Sequence, residues 1–183
     1  MLDLNISFYL IKGMIQAQFT GDKVFSNSSE AFSLYEKSRL GEKAAGRVEY
    51  SYAEVLYLVS LGKMSVFSYN KNINFDMLMV KMKKKDKKTE SKFVVFSDLR
   101  KKGYILKTAL KFGADYRVYE KGVKPGEDHA SWILYIVKEN EILIWHEFIA
   151  KNRVAHSTKK KLLLGIVDEE NDVSYYEAEW KRM

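Results

Sequence analysis

The sequence predicts an α/β (α+β) protein in which a small mixed amino-terminal subdomain precedes a larger domain built on a mixed sheet. Three observations support this division. The first half alternates short strand-like runs with two capped helices, and a lysine-rich run follows at residues 81–92. The second half then reads helix, strands, helix, strand, strand. With 183 residues and 46% hydrophobic content, the chain is long enough to bury a core.

The first half begins with "ISFYLIKGMIQAQF", where Gly13 between two alternating runs predicts a hairpin. "SSEAFSLYEKSRLG" has capping serines and a stop at Gly41, which predicts a helix. In "SYAEVLYLVSLGK", Ser51 and Glu54 have the spacing of a capping box, and Gly62 marks the end of a second helix. Its apolar spacing predicts burial of Val55, Leu58 and Val59.

The run "KMKKKDKKTESK" cannot bury much apolar area. It is typical of a solvated helix face or of a connection between subdomains, and RNA contact is the alternative. We place the boundary there, between an amino-terminal subdomain at residues 1–85 and a catalytic domain at residues 86–183.

The second half starts with "SDLRKKG", a capped helical stretch that ends at Gly103. "YILKTALKFGADYRVYEKG" predicts two strands separated by a break at Gly113, and "SWILYIVKE" predicts an apolar strand. "EILIWHEFIAKNRVAHSTKK" contains a helix, since Ile144 and Phe148, like Trp145 and Ile149, are four residues apart. "KLLLGIVD" predicts a buried strand, and the acidic turn "DEEND" leads into the last strand, "VSYYEAEW".

The composition favours a polyanionic partner. Lys plus Arg number 31 against 24 Asp plus Glu, a net charge of +7, although dense surface charge also occurs in thermophile proteins for stability. Cysteine is absent, which excludes disulfides and thiolate metal sites and fits a reducing compartment, so the cytoplasm is the expected location. The apolar run "ISFYLI" is too short to span a membrane, and no membrane partner is expected.

Tyr119 and His129 flank the segment "EKGVKPGED", whose two glycines and single proline predict a loop between two strands. Lys159, Lys160 and Lys161 follow the predicted helix directly. A phenol, an imidazole and an ammonium can therefore converge on one cleft. Each also has an ordinary interpretation: a half-buried strand tyrosine, an exposed loop histidine and a solvated lysine cluster.

These three groups suit RNA cleavage by attack of the ribose 2'-hydroxyl on the adjacent phosphate. The reaction needs a base on the nucleophile, an acid on the leaving 5'-oxygen and positive charge on the developing anion. It needs no metal and no cofactor. Histidine donates a proton near neutral pH, whereas a tyrosine is a weak base unless cations lie nearby.

Three segments in the second half carry a denser pattern: "FSDLRKKGYILKTALKFGADYRVYEKG", then His129, then "RVAHSTKKKLLLGIVD". Over about residues 96–176 they resemble the catalytic domain of the archaeal tRNA-splicing endonucleases, and "SYAEVLYLVSLGK" is similar to a helix of the family's amino-terminal part. The resemblance implies a nuclease-like fold and metal-independent cleavage of precursor tRNA at bulge-helix-bulge intron boundaries. The expected products carry 2',3'-cyclic phosphate and 5'-hydroxyl ends.

The resemblance also implies residue roles. Tyr119 corresponds to the general base, His129 to the general acid, and Lys160 to the cation that stabilises the phosphorane. Arg153 matches an arginine that stacks on an extruded bulge base, which suits a planar guanidinium; an ion pair with Glu147 or contact with a phosphate is the alternative. A second stacking residue has no clear match in "SYYEAEW".

The acidic turn corresponds to a family loop that docks into another subunit. Its expected interface residues are Asp168, Glu169, Glu170 and Asp172, although a plain polar hairpin turn explains them equally well. Expected partners are precursor tRNA and other endonuclease subunits, in a homotetramer or in a heterotetramer with a structural subunit.

The alternative function is that of a non-catalytic structural or RNA-binding subunit, and an intact Tyr119, His129 and Lys160 argue against it. A metal-dependent nuclease is a third reading, but Asp115, Glu127 and Asp128 lack the pattern of its metal site.

Overall fold

The computed structural model describes residues 13–181 and 183. These residues form two mixed β-sheets and five α-helices, in agreement with the predicted fold class. The elements are β1 (Ile15–Phe19), β2 (Val24–Ser26), α1 (Ser29–Ser38), β3 (Glu42–Ala44), β4 (Arg47–Tyr50), α2 (Tyr52–Ser60), β5 (Met64–Ser68), β6 (Lys71–Ile73), α3 (Phe75–Lys83), α4 (Thr89–Lys101), β7 (Ile105–Ala109), a 3₁₀ turn (Leu110–Phe112), β8 (Ala114–Tyr119), β9 (Trp132–Lys138), α5 (Trp145–Ser157), β10 (Lys161–Val167) and β11 (Val173–Ala178).

The first sheet has the strand order β3-β4-β2-β1-β5-β6. Of the neighbouring strand pairs in this sheet, only β1 and β5 are parallel. Helix α1 connects β2 to β3, and α2 connects β4 to β5. The first run of the hairpin predicted around Gly13 lies outside the described residues. The second run is β1, whose alternating buried residues face the core.

Both predicted caps in this half are confirmed. The Ser28 side chain accepts a hydrogen bond from the backbone N–H of Ala31 at the start of α1. At the start of α2, Ser51 and Glu54 form a capping box. Glu54 is buried and also accepts a hydrogen bond of 2.8 Å from the backbone N–H of Gly41, so one carboxylate joins α2 to the segment after α1.

The lysine-rich run is partly helix and partly connection, because α3 ends at Lys83 and α4 begins at Thr89. The prediction that a helix starts near Ser97 is wrong by about two turns. Ser97 is buried in the interior of α4 because the apolar face of this helix, with Val95, continues toward its amino terminus. One hydrophobic core cluster extends from β1 to β10, and the division at residues 85 and 86 stays a prediction.

The second sheet has the order β11-β10-β9-β8-β7. Strands β9 and β10 are parallel and the other neighbouring pairs are antiparallel. Helix α4 packs on one face, and α5 covers the other through Phe148 and Ala155. The predicted partners Trp145 and Ile149 do not share this burial, since the Trp145 side chain is 78% exposed.

The topology determines where a site can form. Because β9 and β10 run in parallel, both begin at one end of the sheet, and β8 ends there because it is antiparallel to β9. Segments that leave β8 and enter β9 and β10 therefore meet at this end. No helix among residues 13–181 and 183 is long and apolar enough to cross a membrane.

Candidate active site

Tyr119 and Lys160 lie at this end of the second sheet, on either side of Ser131. Tyr119 is the last residue of β8, and the backbone N–H of Ser131 donates to the carbonyl of Val118 at 3.0 Å. The backbone N–H of Lys161 donates in turn to the carbonyl of Ser131 at 3.0 Å. Lys160 immediately precedes β10. Strand register thus brings together two residues that are far apart in the sequence.

Both residues belong to the face of the sheet that α5 covers. Ile133 pairs with Arg117 on one side and with Leu162 on the other, and Ile133 and Leu162 belong to the hydrophobic cluster beneath α5. Alternate residues of a strand share a face, so Tyr119 lies on the same face as Arg117. Lys160, two residues before Leu162, reaches this face as well. The phenol of Tyr119 is nearly buried, with 5% of the residue exposed.

The end of α5 determines the position of Lys160. The backbone N–H of Lys160 donates to the carbonyl of Ala155, and that of Lys159 donates to the carbonyl of His156, both at 2.9 Å. This is a Schellman motif, which requires a left-handed residue, and Lys159 has φ = 56°. The motif reverses the chain, and the Lys160 ammonium then donates to the carbonyl of Thr158 at 2.8 Å.

The three consecutive lysines have different electrostatic environments. Lys161 forms an ion pair of 2.8 Å with Glu177, which also accepts a hydrogen bond from the indole N–H of Trp132. Lys160 has no carboxylate partner within the part of the chain that the structure describes, and Lys159 is exposed. Lys160 is therefore the lysine of the three whose charge is both partly buried and uncompensated.

Burial lowers the pKa of the Lys160 ammonium below its ordinary value, and the positive charge of Arg117 lowers it further. Two cations thus lie near Tyr119. An anion bound here would relieve their repulsion, and a phosphate group has the appropriate charge.

His129 lies in the loop between β8 and β9, two residues before Ser131, and is exposed. Gly122 and Gly126 make the turns of this loop, with φ of 84° and 95°. Residues that carry a side chain rarely adopt such positive φ angles. The backbone N–H of His129 donates to the carboxylate of Asp128 at 2.6 Å. His129 lies at the same end of the sheet as Tyr119, but no hydrogen bond joins its imidazole to the described residues around Tyr119 or Lys160.

A cavity of about 720 Å³ opens beside Lys160. Helix α5 contributes Asn152, His156 and Ser157 to its wall. Arg153 precedes His156 by three residues and Ser157 by four, so it lies on an adjacent part of the same helix surface. Its side chain is exposed. The remaining lining residues are Glu120, Ser131, Trp132, Lys159, Lys160, Lys161, Glu179 and Trp180.

Two features of this region have no counterpart in the sequence prediction. The rings of His156 and Trp180 meet edge to face, with centroids 4.6 Å apart, and Trp180 remains 48% exposed at the cavity. Arg117 contributes its charge next to Lys160. The alternation of β8 gave a signal for Arg117, since it precedes Tyr119 by two residues, whereas no local pattern pairs a helix histidine with a tryptophan after β11.

The acidic turn lies at the opposite end of the sheet, after β10. Asp168 has a local role, since its carboxylate accepts hydrogen bonds from the backbone N–H groups of Glu170 at 3.0 Å and Asp172 at 2.8 Å. Glu169, Glu170 and Asp172 are exposed, and none forms an ion pair with another described residue. The turn therefore presents uncompensated negative charge on a basic protein.

No group of three His, Asp or Glu side chains that could hold a metal ion occurs among the residues with described positions. The carboxylate of Asp115 accepts a hydrogen bond from the backbone N–H of Ile136 at 2.8 Å and pairs with Lys92 at 3.2 Å. Its role in the described structure is to join α4 to β9.

A nearly buried phenol, an uncompensated ammonium and a nearby guanidinium give this end of the sheet a basic character that suits an anionic ligand. Comparison with known proteins identifies the class. The sequence model of the family described as "tRNA intron endonuclease, catalytic C-terminal domain" matches residues 89–175.

Relatives match over a larger part of the chain. A tRNA-splicing endonuclease of Thermococcus onnurineus is 37% identical over 171 residues, which cover 93% of this chain and 98% of that protein. One of Pyrococcus horikoshii is 38% identical over the same proportions. One of Nanoarchaeum equitans is 41% identical over 135 residues, 70% of this chain and 86% of that protein.

The chain belongs to the tRNA-splicing endonuclease family. The predicted family and the predicted enzyme class, an RNA endonuclease, are thereby confirmed.

Proposed function

We propose that this protein cleaves precursor tRNA at bulge-helix-bulge intron boundaries by attack of a ribose 2'-hydroxyl, leaving 2',3'-cyclic phosphate and 5'-hydroxyl ends. The observation that carries the proposal is the register that brings Tyr119 and Lys160 to one end of the second sheet. The names of the similar proteins supply the substrate class, precursor tRNA. We expect this reaction in the cytoplasm.

In the proposed mechanism Tyr119 removes the proton from the attacking 2'-hydroxyl. Lys160 and Arg117 supply positive charge at this end of the sheet, which attracts the phosphate next to the attacking hydroxyl. The Lys160 ammonium then stabilises the additional charge of the phosphorane as the new P–O bond forms. In the free protein this ammonium donates a hydrogen bond to the carbonyl of Thr158. That neutral carbonyl competes only weakly with charged phosphate oxygens for the ammonium.

His129 donates a proton to the leaving 5'-oxygen. In the free protein its side chain is exposed in the loop before β9, so it is accessible to a substrate that binds over Tyr119 and Lys160. Catalytic hydrogen bonds often form only in the complex with substrate, and the absence of such a bond in the free chain is compatible with this role.

Arg153 extends the site along α5. Its exposed guanidinium is suited to stack on a base that leaves the bulge, since RNA recognition relies on unpaired, accessible bases. The acidic turn, at the other end of the sheet, is proposed to dock on a basic surface of another subunit. Its exposed and uncompensated carboxylates, those of Glu169, Glu170 and Asp172, support this role.

The decisive experiment incubates the purified chain with a bulge-helix-bulge RNA in EDTA and identifies the product ends by mass spectrometry. A second RNA carries a 2'-deoxy nucleotide at each cleavage position, and a control RNA carries it one position away. We expect cyclic phosphate ends with the first and control RNAs and no cleavage of the second. Cleavage of the deoxy-substituted RNA, or a requirement for a divalent metal, would refute the mechanism.

The same assay separates the proposal from a non-catalytic structural subunit. A structural subunit would be inactive alone, and Tyr119→Phe would leave the activity of the assembled enzyme unchanged. The proposal instead expects Tyr119→Phe and His129→Ala to lower cleavage by about 100-fold or more while RNA binding persists.

A further inference from the structure

Arg117 has an unsatisfied polar group in the interior of the second sheet. Its guanidinium Nε is buried and has no hydrogen-bond partner. No carboxylate pairs with its charge in the portion of the chain that the structure describes. A buried donor without a partner destabilises the fold, and such groups are rare in native proteins unless they have a function.

A neighbouring lysine shows how the fold satisfies a comparable charge. Lys107 pairs with Arg117 across β7 and β8. Lys107 is buried, whereas Arg117 is only partly buried, and the Lys107 ammonium donates to the carbonyl of Gly41 and forms an ion pair of 3.2 Å with Glu42. Lys107 is thus neutralised from the amino-terminal part, whereas Arg117 is not.

The position of Arg117 relates its free charge to the active site. It precedes Tyr119 by two residues on β8, so both side chains lie on the face that α5 covers. Its charge also reaches Lys160, two strands away, and the two groups repel each other. The site therefore holds two positive charges that no carboxylate of the described residues neutralises.

We propose that Arg117 is a positioning residue of this active site, whose uncompensated charge acts with Lys160 to attract and hold the scissile phosphate beside Tyr119. The inference rests on the proposed function for the identity of the anion. Negative charge on the phosphate oxygens increases as the phosphorane forms, so the guanidinium stabilises this state more than the bound substrate.

Other charged groups near Lys160 do not replace this role. Lys161 is neutralised by Glu177. His156, Lys159, Glu120 and Glu179 line the cavity on its exposed side, where solvent screens their charges. His129 is exposed in the loop between β8 and β9, where solvent also screens its charge.

The test compares three variants with the wild type. Arg117→Met removes the charge and keeps the length of the apolar stem, Arg117→Lys keeps a charge, and Lys107→Met is the matched control. The first measurement is the titration of the Lys160 ammonium in the free protein by NMR of labelled lysine, assigned with Lys160→Arg.

We expect Arg117→Met to raise the Lys160 pKa toward its ordinary value, because a neighbouring positive charge is lost. Arg117→Lys should keep it low, and Lys107→Met should leave it unchanged. Cleavage that depends on protonated Lys160 should then persist to higher pH in Arg117→Met. The cleavage rate at saturating RNA should fall by about 10-fold or more. This decrease is smaller than the decrease expected when a donor in direct contact with the phosphate is removed.

A purely structural role gives a different result. Arg117→Met would then lower the melting temperature, as Lys107→Met does, with the Lys160 titration and the single-turnover rate unchanged, and the inference would be overturned. If Arg117→Met does not fold, Arg117→Gln replaces it, and wild-type activity in Arg117→Gln also refutes the role. Cleavage by the wild type tests the proposed function separately, since the Lys160 titration requires no RNA.

Discussion

Lys160 and Lys161 are adjacent lysines for which the structure predicts opposite consequences of substitution. Lys161 forms an ion pair with Glu177 in which the two side chains are 47% and 41% exposed. Such a surface pair contributes about 0.2–1 kcal/mol, and Glu177 keeps its bond to Trp132 when Lys161 is replaced. Lys161→Met should therefore lower stability by less than about 1 kcal/mol and cleavage by less than about 3-fold.

Lys160→Met removes the uncompensated ammonium that is proposed to contact the phosphate. Loss of one preorganised donor to a developing anion typically lowers the rate by about 100- to 1,000-fold, and we expect a decrease of this size. Stability should change little, or improve slightly, because repulsion from Arg117 disappears.

The assay is single-turnover cleavage of a bulge-helix-bulge RNA with the enzyme in excess, accompanied by thermal unfolding of each variant. The expected pattern is a large loss of rate in Lys160→Met without a loss of stability, and a near-normal rate in Lys161→Met. Equal losses in the two variants would show that the cluster acts only as a basic surface. A near-normal rate in Lys160→Met would remove Lys160 from the mechanism.

Three further outcomes are expected. Arg153→Ala should weaken binding to bulged RNA by about 10-fold and binding to a fully paired duplex much less, as measured by fluorescence anisotropy; equal losses would indicate a phosphate contact. Replacing both Glu169 and Glu170 with Gln, which leaves the turn-forming Asp168 intact, should lower the assembled mass in light scattering, and an unchanged mass would contradict docking of the turn. Glu54→Ala should lower the free energy of unfolding, measured by urea denaturation, by about 3 kcal/mol. The substitution removes a buried carboxylate that accepts hydrogen bonds from Gly41 and Ser51. A decrease of less than about 1 kcal/mol would contradict this account.

Local patterns predicted most of the elements around the site. The Ser51 and Glu54 capping box and the break at Gly113 are confirmed, because caps and left-handed glycines depend on neighbouring residues alone. The start of α4 was not predicted correctly, since its amino-terminal half is specified by burial against other elements. The same limitation applies to Trp145 and Ile149, whose helical spacing gave no information on which face the sheet would cover.

The sequence by itself determined the types of residue available for the chemistry and, through its motifs, the family. The segments around Tyr119, His129 and Lys160 can be identified without coordinates because each motif is continuous in the chain. Only the tertiary structure decided which charges remain free. Lys161 is neutralised by a glutamate from β11 and Lys107 by one from β3, whereas Lys160 and Arg117 have no such partner among the described residues. Charge compensation depends on distances between strands remote in sequence, and these exist only after the sheet has formed.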